Sequence, residues 1–296
     1  MTQQQLRGTC LVALSGTLYG MMSYFGMQVM QDNLSVETML FWRFLTGMVC
    51  MLIPVYLKKP TQVISTCSLT HWLKVILFGA ISYSACSGFY FLAAKQIGTG
   101  LAMVLFFAYP VFVVLFAWIL TSWHFNKHTL YALIAVILGL ILLKGNGNHA
   151  INLAGLCLGI VAALSYAIYV YGSQHTVKVA DSRLLTLFIC LGNSIIFYMV
   201  AKITGTFVWP TSWHTWINIL ILGLLGTALP IQLLLDGLKY ISPIKASILS
   251  VLEPVMTVLI GLILLHETIS TLQALGVLIV LAGAIFIQFE RVQDAS

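Results

Sequence analysis

The segment from Thr99 to Trp123, TGLAMVLFFAYPVFVVLFAWILTSW, aligns without gaps on the segment from Pro243 to Glu267, PIKASILSVLEPVMTVLIGLILLHE, at an offset of 144 residues. Pro110 falls on Pro254, Ala102 on Ala246, Val114 on Val258 and Leu120 on Leu264. The same offset pairs Gly79 with Gly223, Lys95 with Lys239 and Gly139 with Gly283, so one register runs through three apolar segments. Self-similarity held at a single spacing marks an internal duplication. The chain is therefore expected to be built twice from one unit, residues 1–147 and then residues 148–296.

The medium in which the unit folds follows from its polarity. Residues of the hydrophobic class make up 60% of the chain and charged residues 7%, and the mean hydropathy is +1.00. A soluble domain carries about 25% charged residues. Crossing a hydrocarbon layer of about 30 Å takes roughly 20 apolar residues in a helix, and such windows recur along nearly the whole length. They place spans at 9–29, 37–57, 72–94, 98–121, 128–144, 154–174, 184–203, 213–236, 244–265 and 271–289. The expected fold is an all-α polytopic membrane protein of ten transmembrane helices. Five helices per unit is an odd number, so the second copy enters the membrane in the opposite sense. Two inverted five-helix repeats result, the plan on which alternating-access carriers are commonly built.

Charge agrees with that topology. With both termini placed in the cytoplasm, ten basic residues, from Arg7 through Lys58 and Lys59 to Arg291, fall on the inner side, and Lys95, Lys144 and Lys202 on the outer. The formal net charge of +6 is then largely the positive-inside signature, and no nucleic-acid partner is needed. The sequence places the chain in a plasma (inner) membrane. Its six cysteines include no CxxC, so neither a disulfide framework nor a zinc site is indicated, and no cleavable signal is evident.

Glu253 lies nine residues into its span, about 14 Å deep by helix rise. A carboxylate near the bilayer centre costs about 3 kcal/mol even on lenient insertion scales, so it should face a cavity or a partner, or be protonated. Carrying protons in a coupled cycle, binding a cationic part of a substrate and hydrogen bonding to a neighbouring helix are all open to it. Pro254, Pro110 and Pro230 cannot donate to the helix ladder and free the carbonyls of Ser250, Phe106 and Gly226. Kinks are expected there, and paired kinks in inverted repeats point to a binding site between them. Gln232, two residues after Pro230, suits either a substrate contact or an interhelical hydrogen bond. Tyrosines and phenylalanines concentrate in the third, fourth and sixth spans, Tyr83, Tyr90, Phe106, Phe107, Tyr109, Tyr166 and Tyr169 among them, with Tyr19 added from the first. Deep hydroxyls of this kind need partners. Arg43 is assigned a structural role ahead of substrate binding. The GxxxG pairs Gly16/Gly20 and Gly155/Gly159 permit close helix packing, and Asp236 with Lys239 reads as a solvated ion pair. Enzyme motifs fail: His266-Glu267 lacks the second histidine of HExxH, and no acid/base or nucleophile/base pair can be assembled.

Arg43-Phe44 in the second span, YPVF from Tyr109 to Phe112, EPV from Glu253 to Val255 followed by His266-Glu267, and Gly276 with Gly283 in the last span together resemble the EamA-like group of the drug/metabolite transporter superfamily. The resemblance covers essentially the whole chain. The first repeat departs from the pattern, with Trp123 in place of the acid matched by Glu267, and Tyr109 in place of Glu253. The resemblance implies a cavity formed mainly by helices 1, 3, 4, 6, 8 and 9, helices 5 and 10 at the periphery, and export of small metabolites such as amino acids. The related four-helix multidrug exporters use a glutamate in their first helix, and none of Leu11 to Val29 is acidic. On the family's layout Ser15, Tyr19, Tyr83, Tyr90, Tyr109, Ser165, Tyr169, Gln232, Ser250 and Glu253 line the cavity. The expected partners are a small-molecule substrate, the lipid bilayer and, if Glu253 titrates in the cycle, protons. No cofactor, metal or catalytic residue is expected, and the assembly is either a monomer or a homodimer.

Overall fold

The computed structural model describes residues 2–57, 69–121, 126–143, 152–264 and 270–287. Among these residues there is no strand. The helices are α1 (Gln3–Gln31), α2 (Val36–Leu57), α3 (Leu69–Ile97), α4 (Thr99–Thr121), α5 (Lys127–Leu143), α6 (Leu153–Val179), α7 (Ser182–Ile203), α8 (Trp213–Gly237), α9 (Pro243–Leu264) and α10 (Thr271–Phe286). Eight contain spans of 22 residues or more, while α5 and α10, the last of each repeat, are 17 and 16 residues long. The sequence reading and the fold agree on a two-repeat arrangement of ten helices. The polar stretch after α2, the Gly/Asn-rich linker between the repeats, Trp123, His266 and Glu267 lie outside the described residues.

The apolar surface is distributed as a bilayer requires. Leu77, Ile119, Leu138, Ile263 and Leu278 are exposed on the outside of the bundle, where lipid replaces water. Polar side chains are used at helix ends instead. Thr2 with Gln5 and Ser270 with Gln273 form capping boxes on α1 and α10, and the carboxylate of Asp181 accepts from the amide of Arg183 to cap α7. Such caps satisfy amides that the first helical turn leaves without intrahelical partners. Gly98, at φ 81°, makes the turn from α3 into α4, a left-handed conformation that disfavours any side chain with a Cβ.

Helix contacts repeat themselves at the offset seen in the sequence. A Cβ on Gly139 of α5 would lie 2.5 Å from Val280 Cγ2 and 2.9 Å from the carbonyl oxygen of Gly276 on α10. A Cβ on Gly283 would lie 3.1 Å from Val136 Cγ2 and 3.0 Å from the carbonyl oxygen of Ala132. Gly283, Val280 and Gly276 sit 144 residues beyond Gly139, Val136 and Ala132, so the two contacts exchange under a pseudo-two-fold. Two further glycine pairs pack helices together outside that register: Gly16 and Gly20 bring α1 onto α9, and Gly155 and Gly159 bring α6 onto α3 and α4.

Candidate functional site

Proline decides where α4 and α9 break. Each is interrupted rather than bent: α4 runs as Thr99–Phe106 and Tyr109–Thr121, α9 as Pro243–Ser250 and Leu252–Leu264. The interrupting residues Phe107 (φ −74°, ψ 3°) and Val251 (φ −68°, ψ 0°) are 144 residues apart and have nearly the same backbone angles. Pro110 and Pro254 follow in the first turn of the second half-helix, where no intrahelical donor is required and the proline φ is already helical. In α8 the strain is absorbed differently, as a π-helical turn at Leu224–Ala228 just before Pro230. Arg43 bonds to that turn. Its Nε donates to Thr227 Oγ1 at 2.6 Å and its Nη2 to the carbonyl of Gly226 at 3.3 Å, both within the π-helical turn.

Beside the breaks lies a cavity of about 60 Å³. It is lined by Tyr19, Met22 and Ser23 of α1, Arg43 of α2, Tyr83, Cys86, Ser87, Tyr90 and Phe91 of α3, Met103, Phe106 and Phe107 of α4, Tyr166 of α6, and Glu253 and Thr257 of α9. These residues occupy the middle of the bundle and the half that ends in the α3–α4 turn. In the other half the same helices are closed. A Cβ on Gly8 would lie 3.2 Å from the Gly237 carbonyl oxygen, and Val12, Val113, Ser247, Ile248 and Leu249 are buried.

The cavity is polar at its centre and aromatic along its walls. The hydroxyls of Tyr19 and Tyr83 share a hydrogen bond of 2.9 Å. Tyr166 stands 5.3 Å from Phe106 and 4.7 Å from Tyr109, and Tyr90 is 5.3 Å from Phe106, all between ring centroids. Glu253 is half-buried and makes no hydrogen bond or ion pair among the described residues. The hydroxyls of Tyr90 and Tyr166 likewise have no hydrogen-bond partner there. A guanidinium and a carboxylate thus share one cavity without bonding to each other.

Of the residues that the family's layout puts in the cavity, Tyr19, Tyr83, Tyr90 and Glu253 line it. The others are placed elsewhere. Ser15 Oγ donates to the Pro230 carbonyl at 2.7 Å, Ser165 and Ser250 donate to carbonyls four residues back in their own helices, and Tyr109 Oη donates to the Ser247 carbonyl at 3.0 Å. Tyr169 is fully buried, its hydroxyl near Ser173 but outside hydrogen-bond geometry. Gln232 belongs to a cluster at the closed end. Its Nε2 donates to Ser182 Oγ and Asp236 Oδ2, its Oε1 accepts from Thr186, and Lys239 Nζ completes the group at 2.7 Å from Asp236 Oδ1. Asp236 and Lys239 are therefore parts of a five-residue network and not an isolated surface pair.

Arg43 and Tyr166 belong with the site, and sequence reasoning did not put them there. The signals were present: an arginine inside an apolar span, and a tyrosine among the clustered aromatics. Their direction around the helix axis decides whether they reach the cavity, and periodicity alone does not fix that. Among the described residues no three His, Cys, Asp or Glu side chains come together as a metal site.

Comparison with known proteins assigns this architecture. The EamA-like transporter family matches twice, over residues 6–144 and residues 153–289. The chain belongs to the EamA-like transporter family. An Archaeoglobus fulgidus transporter is 28% identical to this EamA-like protein over 284 residues, covering 94% of this chain and 95% of the relative. The threonine/homoserine exporter RhtA of Salmonella typhimurium is 26% identical over 214 residues, covering 71% of this chain and 69% of its own. A solved crystal structure superimposes with a TM-score of 0.82 over 94% of this chain and 95% of the other at 16% identity, which establishes the shared fold. The family and these relatives are transporters and not enzymes, and this EamA-like chain is a multi-pass membrane transporter.

Proposed function

We propose that this EamA-like protein is a secondary transporter of the inner membrane that exports small metabolites such as amino acids, aromatic ones included, by alternating access. Residues 1–147 and 148–296 act as the two rocking units, and both termini lie in the cytoplasm. In that orientation the cavity faces outward and the Gln232–Asp236–Lys239 end faces the cytosol. The observation that carries the reading is Glu253: a carboxyl with no hydrogen-bond or ion-pair partner among the described residues, set two residues past the break at Val251 in a cavity closed on one side. Binding at breaks between inverted repeats is the recurring solution of such carriers. Glu253 serves as the proton-carrying group. The charged and titratable side chains around it are Arg43 from α2, Tyr19 from α1, Tyr83, Cys86 and Tyr90 from α3, and Tyr166 from α6. The name of the Salmonella relative, a threonine/homoserine exporter, supports an amino-acid cargo.

The test is uptake of radiolabelled threonine and phenylalanine into proteoliposomes containing wild type or Glu253→Gln, with and without a pH gradient. Saturable uptake that the gradient drives in wild type, with the variant retaining exchange but ignoring the gradient, is the expected result. A variant matching wild type throughout removes Glu253 from the cycle, and no carrier-mediated flux of either amino acid removes the proposed cargo.

A further inference from the structure

The cavity holds a guanidinium and a carboxyl group that make no hydrogen bond or ion pair with each other. Arg43 is 3% exposed, and two of its three guanidinium nitrogens are tied to the π-helical turn of α8 through Thr227 and Gly226. Nη1 makes no hydrogen bond among the described residues and is not sealed from the cavity. Its two N–H groups are free to pair with an acceptor. Glu253 presents the reverse case, an acceptor in the same cavity with nothing donating to it among the described residues. Thr227 and Gly226 hold the guanidinium in place, so it does not collapse onto the carboxylate.

Charges buried without partners are costly, and each loses much of that cost when a hydrogen-bonded counter-charge arrives. A simple cation would neutralise Glu253 and leave Arg43 both unpaired and repelling it. A simple anion would do the converse. A neutral apolar molecule would satisfy neither. One molecule carrying an anion and a cation a few bonds apart satisfies both. The walls decide the rest: the rings of Tyr90, Phe106 and Tyr166 form an apolar surface whose faces also favour an ammonium.

We infer that Arg43 and Glu253 form a bipolar site for a zwitterionic amino acid, with the carboxylate on Arg43 Nη1, the ammonium on Glu253 and an apolar side chain against the Tyr90–Phe106–Tyr166 wall. The inference rests on the transporter reading for its physiological meaning, and binding and transport are measured separately. It assigns Arg43 two roles, since the residue that recognises the substrate also bonds the π-turn of α8.

The experiment compares phenylalanine with phenethylamine, which lacks the carboxylate, and 3-phenylpropionate, which lacks the ammonium. Binding to the full-length protein in detergent is read by thermal shift and by competition against tritiated phenylalanine. Removing one partner of a buried charge pair should weaken binding by about 30-fold or more, so both analogues fall below phenylalanine by at least that factor in wild type. In Arg43→Gln the penalty for phenethylamine disappears, and in Glu253→Gln the penalty for 3-phenylpropionate disappears. Thr227→Val, which removes the Nε partner but keeps the guanidinium, leaves the wild-type order of ligands intact; a purely structural arginine would make Thr227→Val and Arg43→Gln alike. If Arg43→Gln does not fold, the wild-type ligand order alone decides. Either analogue binding as well as phenylalanine, or no binding of phenylalanine, overturns the inference. Phenylalanine bound in this order but not carried across the membrane would leave the bipolar site standing and sink the amino-acid cargo of the proposed function.

Discussion

The hydroxyl of Tyr109 donates to the carbonyl of Ser247 at 3.0 Å and joins α4 to α9 beside their breaks. An unbroken helix would direct the amide of Val251 to that carbonyl; here the amide turns to Ile248 instead, and the tyrosine takes its place. Tyr109 occupies the position in the first repeat that Glu253 occupies in the second. One repeat thus uses this position to clamp the two broken helices together, and the other uses it to place a carboxyl in the cavity. The asymmetry sits on otherwise symmetric backbone.

Tyr109→Phe removes the clamp while keeping the ring. A buried carbonyl left without a donor costs about 1–3 kcal/mol. Thermal unfolding in detergent should show a loss of that size, with the helical circular dichroism of the folded protein unchanged. An unaltered midpoint would mean that another donor replaces the hydroxyl.

Gly139→Ala should destabilise the bundle and Gly88→Ala should not. The first places a methyl 2.5 Å from Val280 Cγ2 and 2.9 Å from a backbone oxygen, and the second meets nothing closer than Phe197 Cε1 at 3.9 Å. Overpacking of this kind costs about 1–3 kcal/mol. The comparison is made in one detergent by the same unfolding assay. Equal midpoints for the two variants would show that α5 and α10 separate without resistance.

Asp181 gives a pH-dependent prediction. Burial by itself would push its carboxyl up, but the side-chain and backbone hydrogen bonds from Arg183 outweigh that and hold it below the ordinary carboxylate value. A depressed folded value stabilises the fold in full above the unfolded value of about 3.9 and loses that stabilisation as pH falls through the folded value. Asp181→Asn keeps a capping side chain without the charge. It should melt below wild type by a constant amount from neutral pH down to about 5, and the difference should close below about 4. A gap that widens in acid would reverse the sign and refute the assignment.

The cluster of Ser182, Gln232, Asp236 and Lys239 ties α7 to α8 at the closed end. Asp236→Asn removes the charge that three donors share and should loosen that end. A cysteine introduced at Ser247, fully buried on the closed side, should react slowly with a maleimide in the wild-type background and several-fold faster beside Asp236→Asn. Equal rates would mean that closure rests on apolar packing alone.

The composition and the 144-residue register by themselves determine the class of this protein. So apolar a chain is stable only where lipid covers its outward side chains, and two copies of an odd number of helices must be inverted. Pro110 and Pro254 also marked where α4 and α9 would fail to continue, because a missing amide is a local property. What the tertiary structure decided is which polar groups meet. Ser15, Tyr109, Gln232 and Ser250 looked as suited to a cavity as Tyr83, Tyr90 and Glu253, yet their hydrogen bonds go to carbonyls and to the cluster at the closed end. Arg43 looked like a helix anchor and also lines the cavity. Helix rotation about its own axis and the position of neighbouring carbonyls choose between these outcomes, and both are set by packing between segments far apart in the chain.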